Sequence, residues 1–187
     1  MKRILFVTLS LIVSYTAVFC QNKIPQPDKS PMDMSYYPDN FPLLKIQEKA
    51  KEPLIARVVY SRPQKNGRVI FGNLIEYGKL WRSGANEATE IEFFQPVKIK
   101  NYKIKKGRYT LYTIPDSSRW TIVLNKETDI WGSFKYDKQK DIMRIDVPVE
   151  KQTDAIESFS MFFEKSAIGF SLQITWDDVK VSLPISL

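Results

Sequence analysis

Phe159-Ser160-Met161-Phe162-Phe163, Ile168-Gly169-Phe170-Ser171-Leu172-Gln173-Ile174-Thr175-Trp176 and Val179-Lys180-Val181-Ser182-Leu183-Pro184-Ile185 form three alternating runs near the end of the chain. Successive side chains of an extended strand point to opposite faces. Phe159, Met161 and Phe163 therefore share one side, as do Ile168, Phe170, Leu172 and Ile174, and then Val179, Val181, Leu183 and Ile185. Such alternation predicts antiparallel strands with one face packed and the other wet. The pair Asp177-Asp178 between the last two runs reads as a solvated turn.

Upstream, short runs bounded by Gly, Pro, Asn or Asp predict further strands over 54–61, 68–71, 89–94, 97–100, 108–114, 120–125 and 142–149. In the first of these both faces carry apolar groups, Ile55 and Val59 on one side and Leu54, Ala56, Val58 and Tyr60 on the other. That pattern predicts a largely buried strand. Helical spacing is confined to 74–81, where Leu74, Ile75, Tyr77 and Leu80 cluster, and to a short turn near 127–131. Ten short strands with so little helix predict an all-β fold, a two-sheet antiparallel β-sandwich or jelly roll with short helical turns. A closed barrel is the alternative.

The chain divides into three parts. Residues 1–20 read as a signal peptide: Lys2-Arg3, an apolar run from Ile4 to Val13, then Ser14 to Cys20 with no charge. The strongly apolar part falls short of the roughly 20 residues that a membrane-spanning helix requires. Val18 and Cys20 suit the −3 and −1 positions, leaving Gln21 as the mature N-terminus. Lipid attachment at Cys20 is the alternative, against which the bulk of Phe19 argues. Six of the 11 prolines fall between Pro25 and Pro53, and residues 21–52 read as an extended Pro-rich arm. The second half of that arm, with Tyr36, Tyr37, Phe41, Leu43 and Leu44, is apolar enough to lie along the surface of a β-domain at 53–187. The expected compartment is therefore periplasmic or secreted.

Composition narrows the chemistry. The chain has no histidine, which removes Ser-His-Asp and Cys-His triads and every His-ligated metal site. Its single cysteine is Cys20, so cleavage after it leaves neither a disulfide nor a thiolate nucleophile. The net charge of +7 falls by two when Lys2 and Arg3 are removed. With export, a modest basic excess predicts no nucleic-acid partner and reads as a solubility feature.

The most distinctive passage runs Tyr60-Ser61-Arg62-Pro63, Gly67-Arg68-Val69-Ile70-Phe71-Gly72, then Tyr77-Gly78-Lys79-Leu80-Trp81-Arg82-Ser83-Gly84-Ala85-Asn86-Glu87-Ala88-Thr89. These motifs resemble the bacterial exported family known as domain of unknown function 2911. Gly107 to Pro115, Trp120, Trp131-Gly132 and Trp176 extend the resemblance, which covers roughly Pro31 to Leu187. It implies an exported single domain and brings no substrate, cofactor or catalytic residue with it.

Read chemically, this passage supplies the candidate site. Arg82 offers a planar fork of donors, Asn86 offers both donors and acceptors, and Glu87 offers a carboxylate. Arg62 and Arg68 add positive charge, and Trp81 offers a stacking face, so Arg62, Arg68, Trp81, Arg82, Asn86 and Glu87 are read as a binding site for a small anionic or glycan ligand. The structural alternative pairs Arg82 with Glu87, uses Asn86 in a turn and buries Trp81. A histidine-independent, glycosidase-like hydrolase would rest on Glu87, or on Glu90 and Glu92 at about 7 Å along a strand. A purely structural domain with an envelope protein partner is the third reading.

No cofactor or metal site is expected, since Asp137, Asp141, Asp177 and Asp178 lack the spacing of a calcium loop. Lys98, Lys100, Lys103, Lys105 and Lys106 form a basic hairpin around Asn101-Tyr102, whose lysines suit a protected sheet edge. The same lysines could instead touch acidic glycans or phospholipid head groups.

Overall fold

A computed structural model describes residues 24–187; the expected signal peptide, Cys20 and the cleavage site lie outside the described residues. The architecture is all-β. Nine strands follow in chain order: β1 (Met32–Tyr37), β2 (Ala56–Ser61), β3 (Glu90–Phe93), β4 (Val97–Ile99), β5 (Tyr102–Ile104), β6 (Gly107–Pro115), β7 (Arg119–Asn125), β8 (Asp141–Ser166) and β9 (Gly169–Ser186). One short helix, α1 (Phe41–Ile46), joins β1 to β2, and a single 3-10 turn, Lys138–Lys140, precedes β8. All strand pairing is antiparallel, in the continuous order β1-β2-β3-β6-β7-β8-β9-β4-β5. Among the described residues no helix is long and apolar enough to cross a membrane.

The two longest strands organise the rest. The first part of β8 pairs with β7, from Asp141 opposite Asn125 to Pro148 opposite Arg119. From Val149 onward β8 pairs with β9, with register shifts between Lys151 and Ile156 and between Ile156 and Ser160. Extra residues on one strand bend a ladder, and here they let β8 leave its first neighbour. β9 also turns back on itself. A straight run from Gly169 to Ile185 would span roughly 50 Å, yet a Cβ placed on Gly169 would overlap the Ile185 carbonyl. Thr175 Oγ1 donates to the Val179 carbonyl at 3.1 Å and Gln173 Nε2 donates to Ser182 Oγ at 3.2 Å, so the two halves of β9 lie side by side. The reversal falls at Asp177, which takes a positive φ of 54°, where the sequence pattern predicts a turn.

The alternating residues of the late runs form one side of the core. Phe159, Met161, Phe163, Phe170, Leu172, Ile174, Val181, Leu183 and Ile185 join a single buried cluster with Val58, Tyr60, Ile91, Leu111, Ile122 and Leu124 of the earlier strands. At about 1.5–3 kcal/mol for each fully buried large aliphatic or aromatic side chain, this cluster is the main source of stability in a chain without disulfides among its described residues. Ile168 departs from its predicted set and is 70% exposed, because it sits in the turn between β8 and β9. The opposite face is not wet as predicted in the first half of β9, where Ser171, Gln173 and Thr175 are buried, whereas in the second half Lys180 and Ser182 are half-buried and Pro184 is exposed. Side-chain hydrogen bonds satisfy two of them: Gln152 Nε2 donates to Thr175 Oγ1 at 2.6 Å, and Gln173 is bonded to Ser182.

Four other expectations are corrected. Residues 68–71 form no strand and 74–81 no helix; both belong to a looped segment held by Leu74 N to Val69 O at 3.3 Å, Ile75 N to Ile70 O at 2.9 Å and Gly72 N to Ile75 O at 2.8 Å. Gly72 and Gly78, at φ 87° and 72°, break regular structure, while Ile70 still enters the core. No helical turn forms over 127–131. Within the expected arm, Met32–Tyr37 is an edge strand of the sheet, in register from Met32 opposite Ser61 to Tyr37 opposite Ala56. The period-2 signal is weak there because Met32 and Met34 stay about half exposed.

On the other face of the sheet a small cluster gathers Ala88, Tyr112 and Val123, with Leu80, Ile130 and Tyr136 against it. Tyr136 donates to Asp141 Oδ2 at 2.5 Å, Arg144 Nε donates to the same oxygen at 2.7 Å, and Asn125 Nδ2 donates to Asp141 Oδ1 at 2.8 Å. Burial, reinforced by Tyr136 and Asp141, pushes the Tyr112 phenol from 10.0 up to about 12. A raised folded-state pKa favours the native state below the unfolded value and loses that contribution as pH climbs through the folded value. Urea midpoints should therefore hold up to pH 10 and fall towards pH 12, with Tyr112 contributing on the order of 2–3 kcal/mol; Tyr112→Phe should flatten this decline. Gly169→Ala, which drives a methyl into the Ile185 carbonyl, should lower stability by about 2 kcal/mol or more in the same assay.

Candidate functional site

The loop between Trp81 and Thr89 is fastened by backbone and hydroxyl groups. Trp81 N donates to Thr113 O at 2.7 Å, and Thr113 N returns a bond to Trp81 O at 2.9 Å. Beyond this pair, Ser83 Oγ donates to Thr113 Oγ1 at 3.0 Å, Thr89 Oγ1 to Ser83 O at 2.5 Å and Ser61 Oγ to Ala85 O at 2.6 Å. Ser61, Ser83 and Thr89 are fully buried. Buried hydroxyls are costly unless bonded, so these three specify the loop path. Gly84 takes φ 155°, and a side chain there would press on the Ser61 carbonyl at 3.1 Å.

The pinned loop forms part of one wall of a cleft of about 600 Å³. Trp81 and Trp176 lie at its base, stacked at 6.1 Å with planes 19° apart. Arg68 and Arg82 bring positive charge to it, Glu76 a carboxylate, and Phe134 an aromatic ring that is 82% exposed. The Arg82 carbonyl accepts from Thr89 N at 3.1 Å, but its side chain has no hydrogen-bond or ion-pair partner among the described residues, and its Nε is buried without one. Its guanidinium and the Phe134 ring both lie against the bare face of Gly132: a Cβ there would come within 3.1 Å of Arg82 Nη1 and 2.8 Å of the ring.

The six candidate residues separate in space. Arg68, Trp81 and Arg82 share the cleft. Arg68 is also tethered, donating from Nε to Lys65 O at 2.9 Å and from Nη2 to Gln64 O. Arg62 is engaged elsewhere, donating to Asp33 Oδ2 at 3.0 Å, Ser160 Oγ at 2.9 Å and Phe159 O at 3.2 Å, and so ties β2 to β1 and β8. Asn86 takes a left-handed φ of 57° and its carbonyl accepts from Gly132 N at 2.9 Å, which couples the loop to the Trp131-Gly132 turn. Glu87 is exposed and lines a separate depression of about 170 Å³ with Glu90 and Asp129. Arg82 and Glu87 form no ion pair among the described residues.

The other carboxylates considered for chemistry hold structural partners. Glu92 pairs with Arg57 at 2.5 Å, and Glu90 with Arg108 at 3.1 Å while accepting from Asp129 N at 2.7 Å. Asp177 pairs with Lys65 and Asp178 with Lys151. Asp137 caps the 3-10 turn by accepting from Gln139 N at 2.9 Å. Among the described residues no group of three or more acidic, cysteine or histidine side chains is arranged to hold a metal ion.

A family model described as Protein of unknown function (DUF2911) matches residues 42–185. The chain belongs to the DUF2911 family. No curated protein and no solved structure matches it. The DUF2911 region contains every cleft residue except Ser30, so the cleft is essentially built by the family domain itself. Glu76, Ser133, Phe134 and Trp176 complete it from positions that motif reading did not single out as ligand contacts. The one sequence signal for this part of the wall was Trp131-Gly132, whose glycine leaves the gap that Arg82 and Phe134 occupy.

Proposed function

We propose that this DUF2911 domain is a non-catalytic module that binds a small anionic or carbohydrate-like ligand in the cleft at Arg82. The unpartnered guanidinium carries this reading. A guanidinium kept partly from water without an acceptor is unfavourable, and a carboxylate or phosphate would supply a bidentate one. Arg68 adds a second positive charge, and the exposed Phe134 ring adds an apolar face against which a sugar can pack. A cleft of about 600 Å³ lies within the roughly 300–1,000 Å³ of small-molecule sites.

A hydrolase reading on Glu87 receives less support, because Arg82 opens into one depression and Glu87 into another, so the two do not converge on one reacting atom. The purely structural reading, with an envelope protein as partner, leaves Arg82 without an acceptor. The two-sheet sandwich is proposed as the organisation behind the continuous strand order: β8 changes neighbours at its bulges, and the core gathers inward residues from β2, β3, β6 and β7 with those of β8 and β9. Export by residues 1–20 completes the proposal.

A thermal-shift screen of uronates, sugar phosphates and inorganic phosphate tests the binding reading. At least one anionic probe is expected to raise Tm, since a ligand selective for the native state stabilises it. Arg82→Ala should weaken that probe about tenfold or more, the scale of a lost charge-assisted bond. A domain that no anionic probe stabilises, or whose binding survives Arg82→Ala, is not such a module. For export, intact-mass analysis of protein secreted by a bacterial host should give a chain beginning at Gln21; a lipidated Cys20 would instead mean a membrane anchor.

A further inference from the structure

A second cavity, of about 300 Å³, lies on another part of the molecule, between α1 and the ends of β1 and β8. Its floor is aromatic and fixed: Tyr37 stacks on Phe170 at 4.1 Å and meets Phe163 edge-on at 6.4 Å. Its roof is α1, a helix of six residues with none buried. Such a helix is too short to persist by its own hydrogen bonds and needs tertiary packing of an apolar side. The apolar residues it turns inward, Phe41 and Leu44, face this cavity. The wall is predominantly apolar, while its rim carries Lys49, Lys51 and Lys165 against Asp39 and Glu52. None of the three lysines has an ion-pair partner among the described residues. Asp39 is already engaged, accepting from Asn40 Nδ2 at 2.8 Å.

We propose that this cavity binds a small amphiphile with one apolar tail and one anionic head, a carboxylate or a phosphate monoester. The tail lies on Tyr37 and Phe163 beneath Phe41 and Leu44, and the head meets the lysines at the rim. Burying the tail removes apolar surface of both ligand and helix from water, so occupancy also supplies the packing that α1 lacks. At the ~30 Å³ that a water occupies in the liquid, a cavity of about 300 Å³ holds roughly ten non-hydrogen atoms, the size of octanoate. Tyr37, Pro38, Asp39 and Phe41 precede the matched DUF2911 region, whereas Leu44, Phe163 and the three rim lysines lie within it, so the site straddles the start of that region. It is independent of the Arg82 cleft.

Calorimetric titration of the mature chain with octanoate, octanol and octylammonium tests the assignment. Octanoate should bind saturably with one site, and the neutral and cationic analogues about tenfold more weakly or worse, a difference of one charge-assisted contact. Leu44→Trp and, separately, Ala50→Phe fill the cavity from positions outside the core; each should abolish octanoate binding, and whichever keeps the wild-type Tm is the one to interpret. Lys165→Glu should weaken octanoate several-fold, and Arg82→Ala should leave it unchanged. No saturable octanoate heat, equal binding of octanol, or undiminished binding in both filled variants would overturn the proposal, as would loss of octanoate binding in Arg82→Ala. Failure here leaves the Arg82 cleft standing, because that cleft is tested by uronates, sugar phosphates and inorganic phosphate, whose loss on Arg82→Ala is read separately.

Discussion

Trp81 stands where the two halves of the chain meet. It stacks on Trp176 from β9, meets Trp120 of β7 edge-on at 6.0 Å and Phe159 of β8 at 5.1 Å, and touches Phe71 of the looped segment at 6.2 Å. Three strands distant in sequence are thereby fixed, with the looped segment, on one large side chain, and edge-to-face pairs of this kind add about 0.5–1.5 kcal/mol each beyond burial. Its indole nitrogen donates to Gly84 O at 3.1 Å, so the same residue that closes the core also holds the loop that presents Arg82. Packing and site geometry are thus one constraint.

That coupling explains the division of labour within the motif. Ser83, Thr89 and Ser61 spend their hydroxyls on backbone and side-chain acceptors in the interior, and Asn86 and Gly84 supply backbone angles that ordinary residues resist. Only Arg82 of this loop brings a charged head to the cleft without a partner. Most of the motif is a mount, and one side chain is what it mounts. Arg62 and Glu87 are equally prominent in the sequence, but backbone direction sends one towards β1 and β8 and the other to a different depression.

The two cavities differ in kind. The cleft at Arg82 is polar at its walls, lies over the deepest aromatic packing and falls within the DUF2911 region. The cavity under α1 is apolar with a charged rim and depends on the chain ahead of that region. Where a strand of the sheet is covered by a helix without buried residues, the fold leaves apolar surface for a guest; where a loop is locked by buried hydroxyls, it leaves a directed charge.

The sequence by itself determined the late strands and their inward faces, because the period of two in Phe170, Leu172, Ile174 and in Val181, Leu183, Ile185 is set by the pleat and needs no partner to be read. It also determined the turn at Asp177-Asp178 and the chemistry that a chain without histidine cannot perform. Only the tertiary structure decided that Met32–Tyr37 joins the sheet, since an edge strand with one exposed face carries little hydrophobic pattern. It alone decided that residues 68–81 close the core as a loop, since apolar residues at helical spacing serve either arrangement and the glycines settle it through their backbone angles. Above all it decided which of six polar candidates share a cavity, because residues adjacent in a loop diverge in space, whereas Arg82, Phe134 and Trp176 converge only after β8 and β9 have bent back across the sheet.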